Sequence, residues 1–537
     1  MNTRKKNLRI TVGYSKKLTL EQCMSITIGN PRISVSRESY KKTNLSEGII
    51  RLAVDKNIPV YGVTTQFGGD ANKFDPLVFN AHLPKNFSYD NSLRGRQVNL
   101  VRSHMSGVGE EIDYRIGRIA ILLRLHSLAQ GYSGVRPVLL DHLRGLLDKK
   151  IIPVMRRYGS VGASGDLIPL AAIAGTLIGE KSQMVYFGSD RKKMSAPHAL
   201  QEAKIKPIYL NPKEGLALMN GTSLMTAVAA TGVYDLKNLF YWMLVSIAIS
   251  LESLRVIGDS YEPFVHEVKG HAGEILISDF LKKFWGRSNL LLTATDIPLD
   301  GSRPIQDFYS VRSVSQGFGP FYENMSTSMV WIEQEINSVN DNPIINPKTG
   351  KIYGTANFMG YYITSACDIL KMDIAQASTW IHAIFANLIH PRKNNGLPSN
   401  LMERPDLYSG FKPLQILMAS LAVENRKLAV SHQAFMLPTE GDNQDVNSLG
   451  THAAIDLLKA VDNLRYLVVL LLLAGVQAIE LRGVSNAGGN TQIIFKKIRS
   501  ISKYIDRDRS MSGDIETLAS FIHDHSLNEF IKTRSLW

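Results

Sequence analysis

The chain has 537 residues, of which 44% are hydrophobic and 20% are charged, as is typical of a globular protein with a large buried core. Its formal net charge of +13 comes from scattered basic residues, which argues for a solvated basic surface and against a nucleic-acid groove. The two cysteines, Cys23 and Cys367, cannot form a disulfide framework and predict free thiols in a reducing compartment.

The predicted elements change character along the chain. Strand-like pieces and a helix mix over residues 1–60, and a glycine-rich turn follows at 61–72. From about residue 93, leucine and isoleucine recur at spacings of three and four, which predicts helices. A run of small residues at 159–166 interrupts this pattern. Long apolar-periodic segments then dominate, as in a bundle of long helices, over residues 213–285, 317–390, 410–436 and 445–482.

This order predicts an all-α fold, an elongated bundle of long helices with a smaller mixed N-terminal region that carries the small-residue loop. We place an N-terminal region at 1–210, a central long-helix bundle at 211–485 and a C-terminal helical appendage at 486–537.

Two segments bear on the location of the protein. The basic start of the chain, residues 1–17, lacks the apolar stretch of a secretory signal. The longest apolar run, residues 466–479, is short for a bilayer-spanning helix and predicts a buried one. We therefore expect a cytoplasmic protein without membrane contact.

The small-residue loop, "GSVGASGDLIPLAA" at 159–172, does not fit two common loop motifs. A phosphate-binding P-loop needs lysine after its last glycine, where this chain has Asp166. A hydrolase nucleophile elbow needs glycine at that same position. An ordinary helix N-terminus, capped by Ser164 or Asp166, is the structural alternative.

The tripeptide Ala163-Ser164-Gly165 has the composition needed for a reaction within the backbone. If the Gly165 nitrogen attacks the Ala163 carbonyl, a five-membered ring closes, and loss of water converts the Ser164 side chain into an exocyclic methylene. The reaction requires small side chains, a hydroxyl group that can be eliminated and an unhindered glycine nitrogen. This tripeptide supplies all three.

The loop resembles the signature of the aromatic amino-acid and histidine ammonia-lyases, and nearly the whole chain resembles that family. Further segments follow in the family's order: "YGVTTQFG", "NPKEGLALMNGTS", "QDFYSVR", "NDNPI", "GTANFMG", "NNGLPSNL" and "NQDVNSLG". The resemblance implies that Ala163-Ser164-Gly165 cyclises autocatalytically to the electrophile 4-methylideneimidazol-5-one (MIO). It also implies a homotetramer whose active sites are built from more than one subunit.

The resemblance further implies a small aromatic amino acid as the partner and assigns a role to individual residues. Tyr61 removes a β-proton, Arg312 pairs with the substrate carboxylate, and Asn220 and Tyr309 form hydrogen bonds to the ring and the substrate. The remaining substrate-binding positions are Gln306, Phe358, Glu440 and Gln444.

No metal is expected. The candidate zinc pair, His266 and His271, is spaced five residues apart rather than the four that place two ligands on one helix face.

Two segments bear on the substrate. In the family, the pair that aligns with Ser103 and His104 lines the side-chain pocket, and a buried polar pair favours a ring with a hydrogen-bonding group. The sequence Asp445-Val446 after Gln444 is similar to phenylalanine and tyrosine enzymes, whereas histidine enzymes carry glutamate there. Together they favour L-tyrosine, giving p-coumarate and ammonia, and leave phenylalanine and histidine open.

One departure from the family pattern leaves the reaction open. Gln66 stands where the family has glycine, in the loop that carries Tyr61. Loop closure decides whether the intermediate is released, as in a lyase, or retained, as in an aromatic 2,3-aminomutase. A catalytically silent helical scaffold is the alternative from a different class.

Overall fold

The computed structural model describes residues 9–71, 89–300, 303–531 and 536; residues 1–8 of the basic N-terminal segment lie outside this part. In chain order, its first helices are α1 Leu20–Ile28, α2 Arg37–Asp55, α3 Tyr89–His104, α4 Tyr114–Leu128, α5 Pro137–Asp148, α6 Leu167–Leu177, α7 Ala196–Glu202, α8 Glu214–Met219 and α9 Ser223–Ser253. They are followed by α10 Pro263–Glu267, α11 Ala272–Trp285, α12 Tyr309–Arg312, α13 Val314–Ile336, α14 Tyr361–Ile389, α15 Lys412–Leu428, α16 Gly450–Arg482, α17 Gly489–Arg499 and α18 Ser512–Asp524.

The strands are short and form small separate sheets. Their bounds are β1 Arg9–Val12, β2 Arg32–Val35, β3 Val108–Glu111, β4 Ile151–Pro153, β5 Arg156–Tyr158, β6 Met184–Phe187, β7 Lys192–Ser195, β8 Ile344–Ile345 and β9 Ile352–Tyr353. Strands β1 and β2 pair in parallel, whereas β3–β5, β4–β6–β7 and β8–β9 pair antiparallel. Helices dominate the described chain, which confirms the predicted all-α class.

Two compact units divide the chain, and both are discontinuous in sequence. The first contains Met1–Thr231, Met329–Cys367 and Ser431–Ile455, and the second contains Gly232–Ser328, Asp368–Val430 and Asp456–Trp537. This division differs from the three consecutive segments that we predicted. The reason is that the unit boundaries fall inside or close to the long helices α9, α13, α14 and α16 rather than in composition-biased linkers.

The first unit carries all the strands of the described chain together with α1 to α8. Local signals start several of its helices. Thr19 and Gln22 form a reciprocal capping box at α1, and the Asp113 side chain accepts a hydrogen bond from the Arg115 amide at α4. Helix α8 packs against both α3 and α6, and these three helices support the site described below.

The second unit has a core rich in aromatic side chains. The ring of Trp242 lies 5.8 Å from that of Phe521, and Tyr261 packs edge-on against Trp285 at 5.2 Å. The indole nitrogen of Trp285 donates to the Ala248 carbonyl at 2.9 Å, so a buried polar group is satisfied.

The apolar run at 466–479 lies within α16. By length and composition this helix could cross a membrane, but 78% of its most apolar 18-residue stretch is buried inside the protein. The burial explains why the sequence is apolar on every face.

Candidate active site

A cavity of about 210 Å³ in the first unit brings together most of the predicted site residues. Its lining consists of Tyr61, Phe67, Gly68, Leu100, His104, Ala163, Ser164, Leu167, Leu216, Asn220, Asn342, Phe358, Met359, Glu440, Asn443, Gln444, Asp445 and Val446. Polar groups of the loop and apolar side chains thus share one small space, as in sites for small organic ligands.

Ser164 is held at both its carbonyl and its hydroxyl. The side-chain amide of Asn220 donates to the Ser164 carbonyl at 2.9 Å, and Gln444 Nε2 donates to Ser164 Oγ at 2.9 Å. The Thr439 hydroxyl donates to Gln444 Oε1 at 2.6 Å, which fixes which end of that amide faces Ser164. Two donors therefore point at the residue that the cyclisation would transform.

The backbone of Gly165 lies so close to that of Gly221 that a residue with a side chain would not fit. Gly165 has a left-handed φ of +72° and pairs with Gly221 in a parallel bridge. A Cβ at Gly165 would lie 2.2 Å from the Gly221 carbonyl oxygen. The Asp166 amide donates to that same oxygen at 2.8 Å, so the loop is tied to the segment after α8.

Neither Asp166 nor Ser164 caps helix α6 with its side chain. The loop is therefore not an ordinary capped helix N-terminus. The buried Asp166 carboxylate accepts instead from the amides of Leu224 and Met225, at 3.0 and 2.8 Å, in the first turn of α9. Ser160 Oγ donates to it at 2.9 Å. Burial raises the pKa of Asp166, and these hydrogen bonds oppose the rise.

These features fit the MIO ring that the resemblance implies. The tripeptide is closely packed, its central carbonyl and hydroxyl each receive a hydrogen bond, and its glycine occupies a position where only glycine fits. In addition, Asn220 Oδ1 is buried without a hydrogen-bond partner among the described residues. A buried unsatisfied group of this kind is common at functional sites.

Tyr61 lies in the turn before α3, and its hydroxyl accepts a hydrogen bond from the Gly68 amide at 3.0 Å. Burial raises the pKa of Tyr61, the Gly68 hydrogen bond lowers it, and the nearby Glu440 carboxylate raises it. Gly68 has a φ of +57°, and a Cβ there would lie 1.6 Å from Glu440 Oε2. The Tyr61 turn and the Glu440 loop are therefore in close contact.

His104 lies at the end of α3 and lines the cavity. Its Nδ1 lies 2.8 Å from the Leu100 carbonyl oxygen, which can only accept, so Nδ1 carries the hydrogen. In the neutral ring this leaves the Nε2 lone pair as an acceptor. Ser103 is exposed, donates to the same carbonyl at 2.9 Å and does not line the cavity.

Three predicted residues, Gln306, Tyr309 and Arg312, belong to the second unit and are not among the cavity-lining residues. Tyr309 is 75% exposed, and the Arg312 guanidinium lies 4.8 Å from the centre of its ring. Arg312 Nε is buried and has no hydrogen-bond partner among the described residues.

Several residues of the site were missed by sequence reasoning. Asn342 lines the cavity, and its motif "NDNPI" was recognised without a role for that residue. Thr439 has no distinguishing pattern, because its role depends on a contact with Gln444. Arg124, whose guanidinium donates to the Asn220 carbonyl at 2.7 Å, could have been noticed as a charge inside the apolar run "ILLRLH".

Comparison with known proteins agrees with this geometry. Residues 18–500 match the family described as aromatic amino acid lyase. A histidine ammonia-lyase from a Geobacillus strain is 33% identical over 517 residues, covering 96% of this chain and 97% of the relative.

Two solved structures are also similar, each at 28% identity. The phenylalanine aminomutase of Pantoea agglomerans has a TM-score of 0.88, covering 96% of this chain and 99% of that one. The tyrosine aminomutase of Streptomyces globisporus has a TM-score of 0.87, covering 96% and 97%. The chain therefore belongs to the aromatic amino acid lyase family, and is a carbon–nitrogen lyase.

Proposed function

We propose that the chain is an ammonia-lyase that converts L-tyrosine to p-coumarate and ammonia. The observation that supports this substrate is the hydrogen bond between His104 Nδ1 and the Leu100 carbonyl, which leaves Nε2 as an acceptor on a residue of the cavity lining. A phenol group can donate to that nitrogen while its ring packs on apolar side chains of the same cavity lining, which include Leu100, Leu167, Leu216, Phe358 and Val446.

The two other substrates fit this arrangement less well. Phenylalanine has no donor for His104, and an acceptor that a bound ring shields from water without a hydrogen bond costs about 1–3 kcal/mol. Histidine carries an N–H donor, and the Geobacillus relative is named for that substrate. However, Asp445 and Val446 line this cavity where the histidine enzymes carry glutamate after the Asn-Gln pair.

In the proposed reaction, the chain's own residues bind and orient the substrate. Tyr61 accepts the β-proton, and Arg312 binds the carboxylate through its two-pronged guanidinium. Because Arg312 belongs to the second unit and does not line this cavity, we assign it to the site of another subunit in a homotetramer. MIO, once formed from Ala163-Ser164-Gly165, supplies the electrophile that activates the amino group as a leaving group. We place this enzyme in the cytoplasm.

A substrate panel tests the reaction. Purified protein is incubated with tyrosine, phenylalanine and histidine, and the near-ultraviolet absorbance of each conjugated acid is followed. We expect the highest kcat/KM with tyrosine and almost no turnover in Ser164→Ala. Full activity in that variant, or no product from any substrate, would contradict the proposal.

The role of His104 is tested by His104→Leu. We expect kcat/KM for tyrosine to fall about 10- to 100-fold relative to phenylalanine, because the variant removes the acceptor for the phenol. Arg102→Ala is the matched control, since Arg102 is exposed on the same helix, pairs with Glu180 and does not line the cavity, and its ratio should match wild type. An unchanged ratio in His104→Leu would exclude tyrosine recognition by this residue.

A 2,3-aminomutase is the second candidate, because two similar solved structures are aminomutases. It would yield a β-amino acid that chiral chromatography separates from the substrate. Gln66→Gly, which restores the family's residue in the Tyr61 turn, should change the ratio of β-amino acid to cinnamate-type product if loop closure controls release.

A further inference from the structure

Arg124 is a fully buried cation in α4, a helix whose residues 116–128 are all buried. In the part of the chain that the structure describes, no carboxylate oxygen lies within 4.0 Å of it; Asp341 and Asp166 balance its charge only at longer range. Burying a charge without a direct partner is costly. A buried arginine of this kind is therefore expected to have a specific structural or functional role.

One hydrogen bond of Arg124 reaches the short segment 220–222 directly, and a second reaches it through Asn340. Its Nη1 donates to the Asn220 carbonyl at 2.7 Å, and its Nη2 donates to Asn340 Oδ1 at 2.8 Å. Asn340 Oδ1 also accepts from the Thr222 amide at 3.4 Å. A Cβ at Gly221 would lie 2.2 Å from Nη1, so the guanidinium packs directly on this backbone.

The opposite side of the same segment holds the loop. The Asn220 side chain donates to the Ser164 carbonyl at 2.9 Å, and the Gly221 carbonyl accepts from the Asp166 amide at 2.8 Å. Segment 220–222 therefore lies between Arg124 and the tripeptide, and Arg124 fixes the backbone from which the Asn220 amide reaches Ser164.

Ring closure places chemical demands on this amide. The Gly165 nitrogen bonds to the Ala163 carbonyl carbon, and that oxygen leaves as water with the two amide hydrogens of Ser164 and Gly165. Ser164 then loses its hydroxyl and its Cα hydrogen as a second water. Negative charge develops on the Ser164 carbonyl oxygen when the Gly165 amide and the Ser164 Cα lose their protons. A donor already aimed at that oxygen stabilises both steps.

We propose that Arg124 is a positioning residue for the cyclisation of Ala163-Ser164-Gly165. It acts through segment 220–222, which it clamps so that the Asn220 amide and the Gly221 carbonyl hold the tripeptide in the reactive conformation. It does not contact the substrate. This inference rests on the proposed function, since it presupposes that the ring forms.

Arg118, which lies six residues before Arg124 on α4, provides a matched control. Arg118 is also buried, and its guanidinium also donates to a backbone carbonyl, that of Gly29, and to an asparagine oxygen, Asn30 Oδ1. The two arginines share their helix, their burial and the type of their partners. They differ in that only Arg124 contacts segment 220–222.

Wild type, Arg124→Gln and Arg118→Gln are compared by intact mass, far-ultraviolet circular dichroism and thermal unfolding. We expect wild type and Arg118→Gln to be lighter than the encoded chain by two water molecules. Arg124→Gln should retain the helical spectrum but consist mainly of uncyclised chain, with ring closure slowed about tenfold or more. Folded Arg124→Gln with complete loss of both waters would overturn the inference.

If Arg124→Gln does not fold, Arg124→Lys tests the same inference. Lysine keeps the buried positive charge but lacks the planar guanidinium that donates to two acceptors at once. The mass of Arg124→Lys is followed over time after cell-free synthesis. Slower water loss than in wild type supports the inference, and an equal rate overturns it. A wild-type chain of unreduced mass would contradict the proposed function, and the inference with it.

Discussion

Tyr61 must lose its phenolic proton before it can accept one from a substrate carbon. Three neighbouring effects act on that ionisation: burial raises the pKa of Tyr61, the Gly68 amide lowers it and the Glu440 carboxylate raises it. Burial is the largest of the three, so the free tyrosinate is scarce at neutral pH. As the base of the proposed reaction, Tyr61 would therefore link activity to alkaline conditions.

The pH profile of kcat/KM should therefore rise toward alkaline pH as Tyr61 ionises. In Glu440→Gln a charge that raises the pKa of Tyr61 is removed, so the rising limb should shift to lower pH. Asp442→Asn removes an exposed charge outside the cavity lining and should leave the limb in place. Tyr61→Phe should lose about 10²- to 10⁴-fold in kcat. A limb that does not move in Glu440→Gln would show that this carboxylate does not influence the base.

At the level of elements, one carboxylate connects the small-residue loop to the start of a long helix. Asp166 immediately precedes α6, yet its side chain accepts from the first-turn amides of α9, a helix of 31 residues. An acidic group at a helix N-terminus satisfies open amides and interacts favourably with the helix dipole. The loop is thereby attached to the start of α9 as well as to Gly221.

Removing this cap should destabilise the fold. We expect Asp166→Ala to lower the free energy of unfolding by about 1–3 kcal/mol, because the amides of Leu224 and Met225 lose their buried acceptor. Asp113→Ala removes an exposed cap from α4 and should cost less, about 0.5–1 kcal/mol. Urea unfolding of the two variants measures the difference. Equal losses would show that the Asp166 contact is worth no more than a surface cap.

The periodic spacing of apolar residues was sufficient to predict the helices but not the contacts that connect them. The spacing of apolar residues located the long helices, and the tripeptide with its flanking motifs identified the loop. By contrast, the contact of Asp166 with Leu224 joins residues 58 positions apart, and that of Gln444 with Ser164 joins residues 280 apart. No local pattern encodes such pairs. The hairpin β8–β9 was missed because each of its strands has two residues.

At the level of the whole molecule, the predicted site residues are distributed over both units. The cavity of the first unit contains Tyr61 and Ser164, whereas Tyr309 and Arg312 belong to the second. The sequence could not predict this distribution, because the units are discontinuous and their boundaries are not marked by linkers. The order of the motifs along the chain does not determine which of their side chains lie in the same active site of one subunit.

The proposed sharing of active sites between subunits predicts complementation between inactive variants. Tyr61→Phe and Arg312→Ala should each be nearly inactive alone. In a symmetric oligomer that combines residues from different subunits, co-expression should restore activity to about a quarter of wild type, because some sites receive two intact contributions. Mixing the separately purified proteins without dissociation is the control and should restore none. Co-expression without recovery would place both residues in one subunit's site.

The partners of Ser164 are also separated from it in time. During synthesis, the ribosome does not add Asn220 until 56 residues after Ser164, and it does not add Gln444 until 280 residues after Ser164. If the proposed cyclisation needs both contacts, we expect the nascent chain to carry an ordinary serine for most of translation. An electrophile forming in an unfinished chain would be exposed to cellular thiols. The long sequence separation of these contacts would thus postpone that reactivity until the cavity that shields the electrophile can form.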